Sequence, residues 1–355
     1  MDQPCSNRSM LWVYILLVLA SGCLGRAEML RGALAAPPAR KSLIPPDTLP
    51  GNLLTRRRPG GLKLKARQKA PSAKERARVA LGRRLFFDPI LSRDRSLACA
   101  SCHDPRHGFA DPRPVSAGVG GARGLRNAPS LFNVALGRSF FWDGRARSLE
   151  EQVRFPIENP RELGETLDNV LSRLRGNATY RQAFAEAFED GVTADNLARS
   201  VADFERTLLL GDSEVDRFRA GQADALTDAA RQGLWLFESK GRCWRCHAGP
   251  NFTDERFHNT GVGALLSKPD PGRRGVTRRE SDRGRFKTPT LRGVGRTAPY
   301  MHNGRIKTLR EVVEFYNRGG GKGPQLDPLM RPLELDKQEI GFLVEFLKAL
   351  DGQWP

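Results

Sequence analysis

The chain has 355 residues, with 58 Lys+Arg against 40 Asp+Glu, a net charge of +18 and 39% hydrophobic residues. That balance suits a globular chain of about two ordinary domains and excludes a disordered or polytopic protein. Six cysteines (Cys5, Cys23, Cys99, Cys102, Cys243 and Cys246) include two tight pairs, which excludes a disulfide-rich secreted scaffold.

Residues 1–23 read as an export signal. The run LWVYILLVLA at 11–20 is an apolar core too short to span a bilayer, and small residues follow it. LASGC places Cys23 where a bacterial lipoprotein is cleaved and acylated, although Ala20 stands where Leu is commoner. Both a periplasmic protein and one lipid-anchored through Cys23 stay open. Residues 24–74 form a basic, proline-containing stem with 12 Lys/Arg against 2 Asp/Glu. Such a stem is either a solvated linker or an electrostatic contact with anionic lipid or an acidic protein. An exported chain offers no role for nucleic acid.

From about residue 75 the sequence repeats its punctuation. ARVALGRRLFFD leads into CASCHDPRHGFAD, and later AARQGLWLFESK leads into CWRCHAGPNFTD. The repeat implies two related domains, 75–210 and 211–355. Helical spacing recurs at Leu167/Val170/Leu171/Leu174, at Tyr180/Phe184/Phe188 and at Leu197/Val201/Phe204/Leu208. Asp336 and Glu339 resemble a capping box ahead of the stripe Ile340, Leu343, Val344, Leu347 and Leu350, with Gly352 as a stop. Period-2 alternation is absent, so the expected fold is mainly α, with long loops.

Cys99-Ala-Ser-Cys102-His103 and Cys243-Trp-Arg-Cys246-His247 are c-type haem attachment sequences. One turn sets two thiols beside the vinyl groups and swings the next imidazole under the iron. Zinc would want both pairs closing on one metal, and a thioredoxin-like pair would follow a strand. No methionine lies between His103 and Cys243, and His107 is held on the proximal side. The first haem therefore lacks an evident sixth ligand. The second has five candidates: His258, Met301, His302, Tyr316 and Met330.

These motifs, with SAGVGGARGLRNAPSLFN, FFWDGRA, FPIENPREL, KTPTLRGVGRTAPYMHNG and TLREVVEFYNRGG, resemble the bacterial di-haem cytochrome c peroxidase family over residues 75–352. The resemblance implies two cytochrome c-like domains, a peroxidatic haem in the first and a relay haem in the second. It implies that His103 and His247 are proximal ligands and that Trp142 is an electron station between the haems. Gln152, Pro156 and Glu162 would line the distal pocket, with Glu162 as acid–base. Asn127 and the carbonyls of Thr297 and Pro299 would hold a calcium ion. Val119 stands where many members place a blocking histidine, which implies a first haem open at rest. Tyr316 replaces the relay haem's usual methionine, the pattern of the MauG-type branch, while Met301 and Met330 remain alternatives. The implied reaction is reduction of hydrogen peroxide with electrons from a small cytochrome c or cupredoxin. Oxidation of a partner protein and plain electron carriage are the rivals.

Overall fold

The computed structural model describes residues 61–62, 70–264 and 266–352. The export signal, Cys23 and most of the basic stem lie outside the described residues. Among the described residues, no helix is long and apolar enough to cross a membrane.

The first half begins with α1 (Ala73–Phe87), two residues inside the stretch read as stem, because Ser72 and Glu75 close a capping box there. A long loop carries the first C-x-x-C-H motif. Four helices follow: α2 (Leu149–Glu158), α3 (Leu167–Gly176), α4 (Ala178–Ala187) and α5 (Ala194–Glu205). Each of the four is capped by a Ser, Thr or Asn side chain that accepts from a backbone N–H of its first turn. Phe188 and Leu208, read at helical spacing, fall just past α4 and α5 yet are buried at 8% and 0% exposure.

The second half holds α6 (Glu214–Arg219), α7 (Asp228–Glu238), α8 (Arg274–Thr277), α9 (Leu309–Asn317) and α10 (Lys337–Lys348). Its sheet is a single antiparallel pair, β1 (Phe257–His258) with β2 (Phe286–Lys287), in which His258 faces Phe286. The Asp336–Glu339 capping box opens α10 as the sequence suggested.

Both halves use the same helix crossing. Gly82 of α1 lies so close to α5 that a Cβ would sit 1.8 Å from the Ser200 carbonyl, and Gly233 of α7 repeats this 2.0 Å from the Phe342 carbonyl of α10. Each crossing is packed with rings: Phe86, Phe87, Phe109 and Phe204 in the first half, Phe237, Phe252 and Phe346 in the second. Two apolar cores result, one drawn from Leu81–Leu210 and one from Val215–Leu350. The fold is thus mainly helical, and the ladder of strands is minimal.

A buried ion pair braces the second core. Arg292, 1% exposed, forks onto both Asp216 oxygens at 2.6 and 2.8 Å and donates to the Pro250 carbonyl at 2.8 Å. Gly61 and Leu62 of the stem dock here: Leu62 is 9% exposed, and a Cβ on Gly61 would collide with Asp216. At Leu62 the stem is buried rather than solvated, whereas Gly61 stays exposed beside Asp216. Burial pushes the Asp216 carboxyl up, but bonds from Arg292 and Ser213 outweigh it and hold the group below the usual range. Its contribution is therefore complete above the ordinary carboxylate pKa of about 3.9 and is lost as pH falls through the lowered value. Asp216→Ala, which strands a buried guanidinium, should cost about 3–5 kcal/mol in urea unfolding of the haem-loaded protein.

Candidate active site

The two C-x-x-C-H segments fold alike. Each is a tight turn, Cys99–Ser101 and Cys243–Arg245, in which the histidine N–H donates to the first cysteine's carbonyl at 2.9 Å. The rings are oriented by matching bonds: His103 Nδ1 donates to the Phe109 carbonyl and His247 Nδ1 to the Phe252 carbonyl, both at 3.0 Å. A carbonyl can only accept, so Nδ1 carries the proton and Nε2 is left as the lone-pair donor. Burial holds both imidazoles below their ordinary pKa and therefore neutral, the form that ligates metal. Burial also pushes the Cys99 thiol up, and the Cys243 thiol to about 12.

One cavity of about 1060 Å³ is lined by both motifs, at the upper end of ligand-pocket size. Four thiols and two free Nε2 atoms thus share a single enclosed space, which fits two covalently attached haems. Cys246 also lies within reach of Asp254 and His258. Both ring nitrogens of His258 are occupied, Nδ1 by Asp327 at 2.7 Å and Nε2 by Asp254 at 2.9 Å, which leaves no lone pair for a metal.

Gln152, Pro156 and Glu162 line the cavity that His103 also lines. Ser148 caps α2, which carries Gln152 and Pro156, and the chain then turns through residues 159–164. Glu162 lies in that turn, not at a helix start. Its Oε1 accepts from Asn159 Nδ2 at 2.7 Å. Burial, only partly offset by Asn159 and Arg145, raises the carboxyl above its ordinary range. Val119 is 2% exposed and packs into the first core rather than lining the cavity. Its N–H donates to the Glu162 carbonyl at 2.9 Å, so the Val119 loop fixes the Glu162 turn.

Trp142, Asn127, Thr297 and Pro299 line the same space. Trp142 Nε1 donates to the Asn127 carbonyl at 2.9 Å, and Asn127 N–H donates to the His302 carbonyl at 2.8 Å. Asn127 Nδ2 donates to the Arg113 carbonyl at 2.9 Å, which leaves Oδ1 as an acceptor. The His302 ring is stacked on Phe286, with centroids 3.6 Å apart. Arg126 joins the halves by bonding Asp143 at 2.6 Å and Asp270 at 2.7 and 2.8 Å. No local pattern signals the Arg126–Asp270 half of this clamp, because its partners are 144 positions apart.

Tyr316 lies on α9 and lines the cavity with Met301 and Met330, and burial pushes its phenol up. A backbone repeat not visible at the level of the haem motifs relates this site to the first. The bridges Phe140↔Ala146 and Tyr300↔Ile306 close equivalent turns, and Ser148 and Thr308 then cap α2 and α9. The same offset carries Trp142 to His302 and Pro156 to Tyr316.

Residues 76–224 match the profile of the di-haem cytochrome c peroxidases. The methylamine utilization protein MauG of Methylorubrum extorquens is 39% identical over 280 residues, 78% of each chain. The cytochrome c551 peroxidase of Nitrosomonas europaea is 36% identical over 78% of this chain and 80% of its own. Among solved structures, a MauG-like protein associated with microbial copper homeostasis superposes with a TM-score of 0.74 at 30% identity, covering 82% of this chain and 95% of that one. The diheme peroxidase BthA from Burkholderia thailandensis gives 0.70 at 25% identity, over 78% and 86%. Replacing Cys243 and Cys246 together by Ala should halve the covalently bound haem per chain, measured by pyridine haemochrome absorbance.

Proposed function

The chain belongs to the di-haem cytochrome c peroxidase family, and on that footing we propose that it is an exported, periplasmic peroxidase reducing hydrogen peroxide to water. The reading is carried by one observation: Glu162, whose carboxyl is raised above its ordinary range by burial, lines the cavity that Cys99, Cys102 and His103 also line, while Met301, Tyr316 and Met330 enter it from the second half. Haem held by Cys99, Cys102 and His103 would supply the iron and the oxidation–reduction chemistry for cleaving the peroxide O–O bond.

The residues around it manage position and protons. His103 Nε2 would ligate the iron, and Pro156, whose side chain has no donor atom, stands at the repeat position that Tyr316 takes in the second half. Gln152 orients the peroxide by hydrogen bonding. Glu162 keeps Oε1 on Asn159, so Oε2 takes the proton from the near peroxide oxygen and delivers it to the far one. Two further protons and two electrons complete the conversion to two waters. A small cytochrome c or cupredoxin would supply the electrons, and Trp142 would be the station between the two haems. A calcium ion between the haems would use Asn127 Oδ1 and the Thr297 and Pro299 carbonyls, with water filling its remaining positions.

Glu162→Gln should slow the reaction of the oxidised protein with peroxide by about 10²–10⁴-fold at unchanged haem content, followed by stopped flow. Equal rates would remove Glu162 from the chemistry. The same experiment, with a reduced small cytochrome as donor, should show sustained turnover without prior reduction of the enzyme, because Val119 offers no ligand to displace.

Tyr316 favours a second reading, in which a partner protein's own side chains supply the electrons. A phenolate oxygen stabilises oxidised iron more than a thioether does. Tyr316→Phe should change the second haem's visible spectrum and raise its potential. An unchanged spectrum would assign the ligand to Met301 or Met330.

A further inference from the structure

Glu205 ends α5 with its side chain inside the first haem site. The residue is 4% exposed, lines the cavity with Cys99 and Val201, and its Oε2 has no hydrogen-bond partner. Its charge is felt at the Cys99 thiol, which is to be bonded to the haem edge. Other buried acids of this half are paired: Asp111 with Arg113 at 2.8 Å, Glu165 with Arg173 at 2.5 Å. A lone carboxyl in an apolar pocket costs the fold free energy and needs a reason.

Two charged side chains act on it: Arg206, which pairs with Glu150 of α2 at 2.7 Å, and Glu150 itself, whose charge also disfavours the carboxylate. Neither bonds Oε2. Burial pushes the carboxyl up to about 8, only partly countered by Arg206, and the negative end of α5 works in the same direction.

We propose that Glu205 binds a proton when the first haem is reduced and releases it when that haem is oxidised. The balance is one electron to the iron and one proton from water to the Glu205 carboxylate, giving the carboxylic acid, and the reverse on oxidation. The electron comes from the external donor of the proposed function, and the proton comes from solvent. The cause is Coulombic: an extra positive charge on a nearby iron in a low-dielectric cavity favours the carboxylate, and its removal favours the acid. The coupling holds whether electrons end on peroxide or come from a partner protein.

The test is a spectroelectrochemical titration of the first haem in the loaded protein across neutral and alkaline pH. Its midpoint should fall by up to about 59 mV per pH unit, the one-electron equivalent of a tenfold change in proton activity. Glu162, a second carboxyl raised by burial on the same cavity, is removed first: Glu162→Gln alone should retain the slope, and adding Glu205→Gln should abolish it. A slope that survives in the double variant overturns the proposal. If that variant fails to load haem, redox-difference infrared spectra of Glu162→Gln decide. A protonated-carboxyl C=O band lost on oxidation supports the assignment, and its absence overturns it.

Discussion

An imidazole ligates iron through Nε2 only while its other nitrogen keeps the proton, and in this protein a backbone carbonyl fixes that choice twice. The Phe109 and Phe252 carbonyls stand in the same relation to His103 and His247. Everything else in the two sites is arranged around those two anchored rings. Helices cross behind each motif at a glycine, aromatic rings fill the crossing, and the loops between helices return to form the rest of the cavity wall. Burial keeps both rings neutral, so no proton competes for the ligating atom.

The division of labour follows from small departures within a duplicated plan. One backbone path, a bridged turn followed by a capped helix, serves both halves. At one position it carries Pro156 in the first half and Tyr316 in the second. A pyrrolidine ring has nothing to offer a metal, whereas a phenol oxygen does. On the proposed reading, a proton-exchanging carboxyl such as Glu162 belongs to the half without the phenol. Duplication supplies one backbone plan, and single side chains distinguish its two copies.

Much of this was written in the sequence. The haem motifs, the capping box at Asp336 and the apolar stripes depend on neighbours within a turn or two, so their spacing reveals them. Glu162 was recognisable only through its surrounding motif, since by itself it reads as a carboxylate opening a helix, and it lies in a turn. The Arg292–Asp216 and Arg126–Asp270 pairs join distant segments and leave no local periodicity. Glu205 did leave a trace: it falls four residues after Val201 on a buried stripe where a charge has no business being. The docking of Gly61 and Leu62 against Asp216 was invisible because a basic, proline-containing context masks a single apolar contact.

The seam between the halves is stitched by guanidinium and ammonium groups. Besides the Arg126 clamp, Arg273 reaches the carbonyls of Asp143 and Gly144 at 2.8 Å, and Lys287 reaches that of Ser139 at 2.6 Å. These bonds grip the backbone on either side of Trp142, and they are shielded enough to resist screening by salt. The segment that carries Trp142 is accordingly tied through its main chain to the second half on both sides of the indole, so a substitution of the ring itself would leave that seam in place.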